Sequence, residues 1–251
     1  IGYLKNFEKA VSLCQGDIIF LSDQDDVWFD IKIDSILTVF REDKRAMLVI
    51  NDQIIKNSDL SRGATTTLGN IKALGLTSDW HSAGCCSSFR RGFVDIMIPI
   101  PVKSHGHDGW ITKLGEVTNS RKILDRPLQI YRRHDSNTSG SIAAKLKRPS
   151  RFDVLAKHGL SSAISGWERD VEMSCLLIDR VKEHRAEFEA SGVWSACERS
   201  LLVLLEKNEC TKRRIKVTSL PRLRRFYHVL RMWFEGGYRH YSGWRSFLKD
   251  V

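Results

Sequence analysis

The sequence predicts an α/β domain followed by an all-helical extension. Three observations predict it. Short apolar runs rich in strand formers (Ile18, Ile19, Phe20, Leu21, then Met47, Leu48, Val49, Ile50) alternate with stretches of helical period. Each run ends in acidic or polar residues, as strands do where an open sheet meets its ligand. From about Phe152 onward only helical periodicity remains, so the chain divides into 1–150 and a basic, aromatic-rich extension over 151–251.

In chain order, Leu4, Phe7, Ala10, Val11 and Cys14 recur at helical spacing, and Gly16 stands where that helix stops. Residues 17–22 read as a buried parallel strand. A helix over 31–41 places Ile33, Ile36, Leu37 and Phe40 on one face, and 47–50 is a second buried strand ending at Asn51 and Asp52. The Thr-, Gly- and Ser-rich stretch 56–79 reads as loop with a short helix. A third strand is expected over 84–89, a helix over 93–98 closed by Pro99 and Pro101, a further helix opening at His107, and a last strand over 128–132. Residues 133–140 read as loop, and helices follow at 167–188, 193–206 and 221–234. Three or four strands are few for a self-sufficient parallel sheet, and Ile1 falls in mid-helix. The chain is therefore expected to be the C-terminal part of a larger domain, inactive without its earlier βα units.

The 251 residues are 42% hydrophobic and 28% charged, which excludes a disordered chain. A formal charge of +10 points to an anionic partner: nucleotide phosphates, an acidic membrane surface or nucleic acid. Between Cys210 and Lys249 there are eleven Lys or Arg and one acid, Glu235. The six cysteines show neither C-x-x-C nor zinc-ligand spacing, which fits reduced thiols in a cytosolic protein. No apolar run reaches the roughly 18 to 20 residues of a membrane span, and no signal peptide is recognised.

The chemistry concentrates in one turn. Asp23, Asp25 and Asp26 crowd into four residues just where an apolar strand leaves the sheet, an arrangement that is costly unless a cation or hydrogen-bond donors offset it. A hard divalent ion, Mg²⁺ or Mn²⁺, suits such oxygen ligands and leaves positions open for substrate phosphates. A solvated, helix-capping turn is the bland alternative; the preceding strand and the following Trp28 weigh against it.

These residues resemble glycosyltransferase family 2. Asn6 and Phe7, Gly16 and Asp17, and then Phe20-Leu21-Ser22-Asp23-Gln24-Asp25-Asp26-Val27-Trp28 with Lys32 downstream are similar to its bacterial rhamnosyltransferase-like group. Later stretches continue the match: Gly84 to Arg90 (GCCSSFR), Pro99-Ile100-Pro101 followed by His107-Asp108-Gly109-Trp110, and the closing PLQIYRRHDSNTSG from Pro127 to Gly140. The resemblance implies a GT-A fold with a mixed, Rossmann-like sheet. It implies a metal-dependent, inverting transfer of a sugar such as rhamnose from a nucleotide donor to a glycan or lipid-linked acceptor, in surface polysaccharide synthesis. By the same resemblance, Asp23, Gln24 and Asp25 meet the donor diphosphate and the metal, with Asp26 as an accessory ligand and Asp108 as general base. Gly84, Cys85, His107 and Trp110 fall at the acceptor side. Where relatives often carry Glu, this chain has His107, expected to orient Asp108 or touch the acceptor. The nucleobase-binding strand of the family has no counterpart here, and the Q-x-x-R-W pattern of processive enzymes is absent, which favours transfer of single sugars.

His134 is expected at the metal or the diphosphate, and Arg132 and Arg133 at diphosphate oxygens, each against the alternative of a solvated loop. For Asp108 the alternative is a helix N-cap, with the helix beginning at Trp110. In the tail, Arg222, Leu223, Arg224 and Arg225 adjoin Phe226 and Tyr227, and Arg231 adjoins Trp233 and Phe234. This suits peripheral contact with an anionic membrane, at the inner face of the plasma membrane, and equally a tail packed on the catalytic domain. No nucleic-acid-binding motif accompanies the charge. Two other classes fit less well. A haloacid dehalogenase-like phosphatase would use Asp23 as nucleophile with Mg²⁺, but it needs a later acidic pair at a strand end. A non-enzymatic membrane or nucleic-acid adaptor would rest on the basic tail alone.

Overall fold

In a computed structural model, the first apolar repeat forms helix α1 (Tyr3–Leu13), entered from an extended Gly2. The structure describes residues 2–63, 65–104, 106–134, 137, 141–150, 163–241 and 243–251, with side chains for all of these except 142, 163, 222 and 223. The expected onset of the helical region at Phe152, most of the loop 135–140 with its closing Gly140, and the side chains of Arg222 and Leu223 lie outside the described residues. Two compact units divide the chain, Ile1–His158 and Gly159–Val251.

The first unit is a mixed α/β structure on a curled six-stranded sheet. Its strands are β1 (Ile18–Phe20), β2 (Val27–Trp28), β3 (Leu48–Asn57), β4 (Thr65–Thr66), β5 (Ser87–Arg90) and β6 (Arg121–Arg133). They lie in the order β1-β5-β3-β6-β2, with β4 added to β3. Only β3 and β6 run parallel; the other described pairs are antiparallel. Helices α2 (Lys32–Glu42), α3 (Thr67–Ala73), α4 (Arg91–Met97) and α5 (His107–Val117) complete the unit.

Residues 17–22 correct one expectation. β1 pairs antiparallel with β5, Ile18 facing Arg90 and Phe20 facing Ser88, and is the end strand of the order. An apolar run records burial, and burial does not encode the direction of the neighbouring strand. The strand count was also short. β2 returns the acidic turn to the sheet by pairing Val27 and Trp28 with Ile130 and Gln129.

β3 continues past Asn51 and Asp52 to Asn57, and β6 spans Arg121–Arg133 rather than 128–132. The register between the two shifts at Asn51/Asp52 and again before Ile54, and Pro127 falls opposite Asp52 at the first shift. An irregularity there lets a proline and several polar residues sit inside a long strand pair. Ile36, Phe40, Ala46, Val49 and Leu128 form the core beneath this part of the sheet, with Ile18, Phe20 and Leu124 packed against it.

The second unit is helical: α6 (Ala163–Glu183), α7 (Arg185–Ala190), α8 (Trp194–Thr218), α9 (Arg222–Phe234) and α10 (Trp244–Asp250). The single helix expected over 167–188 breaks at His184, and α8 runs on past its expected end at Glu206 to Thr218, a little over three turns at about 3.6 residues each. Val229, Met232 and Tyr238 form its core, with Cys210, Val217, Tyr241 and Phe247 against them. Arg214 is buried here. Its Nε and Nη2 donate to the two Asp250 carboxylate oxygens at 2.6 and 2.9 Å, and Tyr238 Oη donates to Asp250 Oδ2 at 2.9 Å. The guanidinium also lies 4.2 Å from the Trp167 ring centre. Among the described residues no helix is long and apolar enough to cross a membrane.

Candidate active site

β1 ends at Phe20, and the chain passes through Leu21 and Ser22 into a turn closed by Asp26 N donating to Asp23 O, before β2 begins. Three carboxylates are thus held between two strands of one sheet, and they separate into two groups. Asp23 and Asp26 face Cys85, the three ligating atoms lying within 4.8 Å of one another. Asp25 points elsewhere: its Oδ2 is 2.7 Å from His134 Nε2. Gln24 is exposed. The grouping differs from the expected Asp23–Asp25 pair with Asp26 as accessory, because the turn brings residues three apart, Asp23 and Asp26, to the same neighbour and sends Asp25 to another.

Burial is the first cause of the raised pKa of Asp23, and the nearby charges of Asp108 and Asp25 add to it. Burial likewise pushes Asp26 up to about 6, and the Asp23 charge adds to the rise. The Cys85 thiol lies within hydrogen-bonding reach of both carboxylates and moderates each shift. Two carboxylates forced toward protonation are what a divalent cation would relieve, so the donor set fits a metal.

A second layer supports Asp26. Gln129 Nε2 donates to Asp26 Oδ2 at 2.7 Å, and the Arg132 backbone N–H approaches Asp26 Oδ1 at 3.4 Å. Gln129 Oε1 in turn accepts from Lys32 Nζ at 2.5 Å. Lys32 is fully buried, its ammonium 3.8 Å from the Trp28 ring centre, and burial lowers its pKa to about 8. Gln53 Oε1 gathers Gln129 at 3.3 Å and Cys86 Sγ at 3.1 Å. Burial opposes ionisation of the Cys86 thiol, but hydrogen bonds from Cys85 and His81 outweigh it and hold the pKa at about 7.

Asp108 reaches the site from α5. The helix begins at His107, two residues earlier than a capping role for Asp108 requires, and Gly106 is its N-cap at φ 142°. Asp108 therefore sits in the first turn, where the helix dipole favours a carboxylate. His107 Nε2 is 2.7 Å from Asp108 Oδ1, and the imidazole is stacked on Phe7 of α1 with ring centres 4.0 Å apart. α1 is itself tied to the preceding loop, since Ile100 N donates to Glu8 Oε2 at 2.6 Å. Gly84 lies beneath: a Cβ there would meet Asp108 Oδ1 at 2.1 Å, so only glycine admits the carboxylate.

The remaining expected residues fall as follows. Arg132 Nε donates to Asp25 O at 3.1 Å and Nη1 to Ser58 O at 2.8 Å, so this guanidinium braces the acidic turn. His134 N donates to Asn137 Oδ1 at 2.5 Å, and Arg133 is half-buried beside Tyr131. Trp110 was expected at the acceptor side. It is fully buried, its indole N–H donating to Met97 O at 2.8 Å, and it anchors α5 against α4. Cys85, expected near the acceptor, faces Asp23 and Asp26 instead.

Gln129, Gln53 and Cys86 are members of the site that the sequence did not single out. Lys32 had a legible signal, since it shares the buried face of α2 with Ile36 and Phe40 at four-residue spacing, a position where lysine needs a partner. No family model matches the chain, and no curated protein matches it.

Proposed function

We propose that this chain carries the catalytic centre of a metal-dependent, inverting glycosyltransferase of the GT-A type, acting on a nucleotide-activated sugar. The observation that carries the reading is the approach of Asp108 to the acidic turn, close enough for its charge to raise the Asp23 pKa. A carboxylate from a helix start facing a cation-binding turn supplies the two functions that the reaction needs. Further support comes from the mixed sheet with the acidic turn at the end of β1.

Asp23 and Asp26 would hold the metal, with Cys85 beside them, and the thiol favours Mn²⁺ over the harder Mg²⁺. When bound, the cation supplies charge neutralisation to the departing diphosphate. Asp108 accepts the proton of the acceptor hydroxyl as that oxygen forms its bond to the anomeric carbon. The bond from that carbon to the diphosphate oxygen breaks, and the nucleoside diphosphate leaves with the electron pair. His107 orients Asp108 through their 2.7 Å contact. His134 and Arg132 hold Asp25 and its backbone, fixing the turn. The acceptor is a glycan or a lipid-linked glycan. The phosphatase alternative is less well supported, since its second acidic group should come from a strand end and Asp108 comes from a helix.

The test is nucleoside diphosphate release by the full-length protein with a panel of sugar nucleotides and Mn²⁺ or Mg²⁺. Asp108→Asn should lower kcat by about 10² to 10⁴ while donor binding, followed by calorimetry, is retained. Release unaffected by that change would overturn the assignment of the base.

A further inference from the structure

Lys32 is a cation in the core without a counter-ion of its own. It is fully buried at the start of α2. Among the described residues no carboxylate pairs with it; Nζ donates to Gln129 Oε1 at 2.5 Å and to Cys85 O at 3.4 Å, and lies 3.8 Å from the Trp28 ring centre. The buried Arg214 of the helical unit is matched differently, with both Asp250 carboxylate oxygens on its guanidinium. A buried ion left without such a partner is costly, so the neighbours of Lys32 should show what it does.

Its effect follows from donor chemistry. An ammonium has three donors and no acceptor, so only the oxygen of the Gln129 amide can face it. The amide nitrogen must then face the other way, where it donates to Asp26 Oδ2 at 2.7 Å and to Gln53 Oε1 at 3.3 Å. Gln129 is itself fully buried, and every polar position of its amide is used in this arrangement. Gln53 is fixed in turn by its own nitrogen, which donates to Thr67 Oγ1 at 3.2 Å and leaves its oxygen for Gln129. Turned over, the Gln129 amide would set its oxygen against Asp26 and Gln53, acceptor against acceptor, with no donor between them.

The second bond of the ammonium reaches the other wall of the candidate site. Cys85 O belongs to the turn Gly84–Cys86, which presents the Cys85 thiol to Asp23 and Asp26. One buried charge thus bears on two of the three ligating residues, on Asp26 through Gln129 and on Cys85 directly.

We propose that Lys32 is a positioning residue of the cation site: its ammonium dictates which way the Gln129 amide faces, so that Asp26 and Cys85 stand ready before a cation arrives. The inference rests on the reading of Asp23, Asp26 and Cys85 as metal ligands.

Mn²⁺ binding by the full-length protein, followed through the paramagnetic resonance signal of the free ion, tests it. Lys32→Met fills the space of the chain without its ammonium and should weaken binding by about 10- to 100-fold, the usual contribution of groups that orient metal ligands. Lys32→Gln can still donate to Gln129 but no longer dictates its orientation, so its affinity should fall between Lys32→Met and wild type. In the double variant Lys32→Met/Gln129→Leu the loss should be far short of the product of the two single losses, because both changes break one chain of bonds. Wild-type affinity in Lys32→Met or in Lys32→Gln overturns the proposal, and so do losses that multiply in the double variant. Mn²⁺ affinity that merely follows the melting temperature in chelator across the variants would make Lys32 a packing residue, and overturns it as well. A wild-type protein that binds no Mn²⁺ refutes the metal reading itself, and the role of Lys32 falls with it.

Discussion

Asp26 shows what burial does to a carboxylate. Its folded pKa of about 6 lies above the ordinary 3.8, so ionising it costs stability once the pH rises through 6. The penalty is full at neutral pH, shrinks as the pH falls below 6, and vanishes below the unfolded value. Asp26→Asn should therefore raise the melting temperature of the metal-free protein at pH 7. The wild-type deficit relative to that variant should close between pH 7 and pH 4, as measured by thermal melts in chelator. A deficit of constant size across that range would show that Asp26 is not strained by its surroundings. Gly84 makes the complementary point about space. Gly84→Ala should displace Asp108, because the added carbon would stand 2.1 Å from Oδ1. We expect turnover to fall by at least about tenfold with unchanged circular dichroism; wild-type turnover would mean that Asp108 needs no such close approach.

At the scale of elements, strand direction and length were the features least visible in the linear pattern. β3 and β6 continue through Asn51, Asp52, Gln53 and Pro127 because a register shift absorbs residues that would end a regular ladder. Nothing in a window of the sequence announces that shift, since it exists only when both strands are paired. α5 was legible, because Gly106 followed by a polar first turn and Trp110, Ile111 and Leu114 at helical spacing is a strong local signal. In the helical unit, the buried Arg214–Asp250 pair ties α8 to α10. Asp250→Ala leaves an unpaired guanidinium in the core, and we expect a loss of about 3 to 5 kcal/mol by denaturant unfolding followed through Trp167 and Trp244 fluorescence. A loss below about 1 kcal/mol would place the pair among surface-type ion pairs.

For the molecule as a whole, the transferase proposal needs the acidic turn and leaves the basic tail outside the chemistry. The two units carry equal net positive charge, but in the helical unit it gathers between Cys210 and Lys249, and the carboxylates of the acidic turn lie at the sheet edge. Asp25→Asn should accordingly abolish sugar-nucleotide turnover while leaving any association with anionic vesicles intact. Loss of both together would favour a single shared surface, and turnover that survives the change would favour the adaptor reading. The apolar periodicities, the acidic turn after a strand and the helical character of the second unit were determined by the sequence itself, because each depends on neighbours a few positions apart. Tertiary structure alone decided that Asp23 joins Asp26 and Cys85, that Asp25 turns to His134, that Trp110 is core, and that Lys32 reaches Asp26 through Gln129. Those partners lie up to about a hundred residues apart in the chain, and only strand pairing brings them within hydrogen-bonding distance.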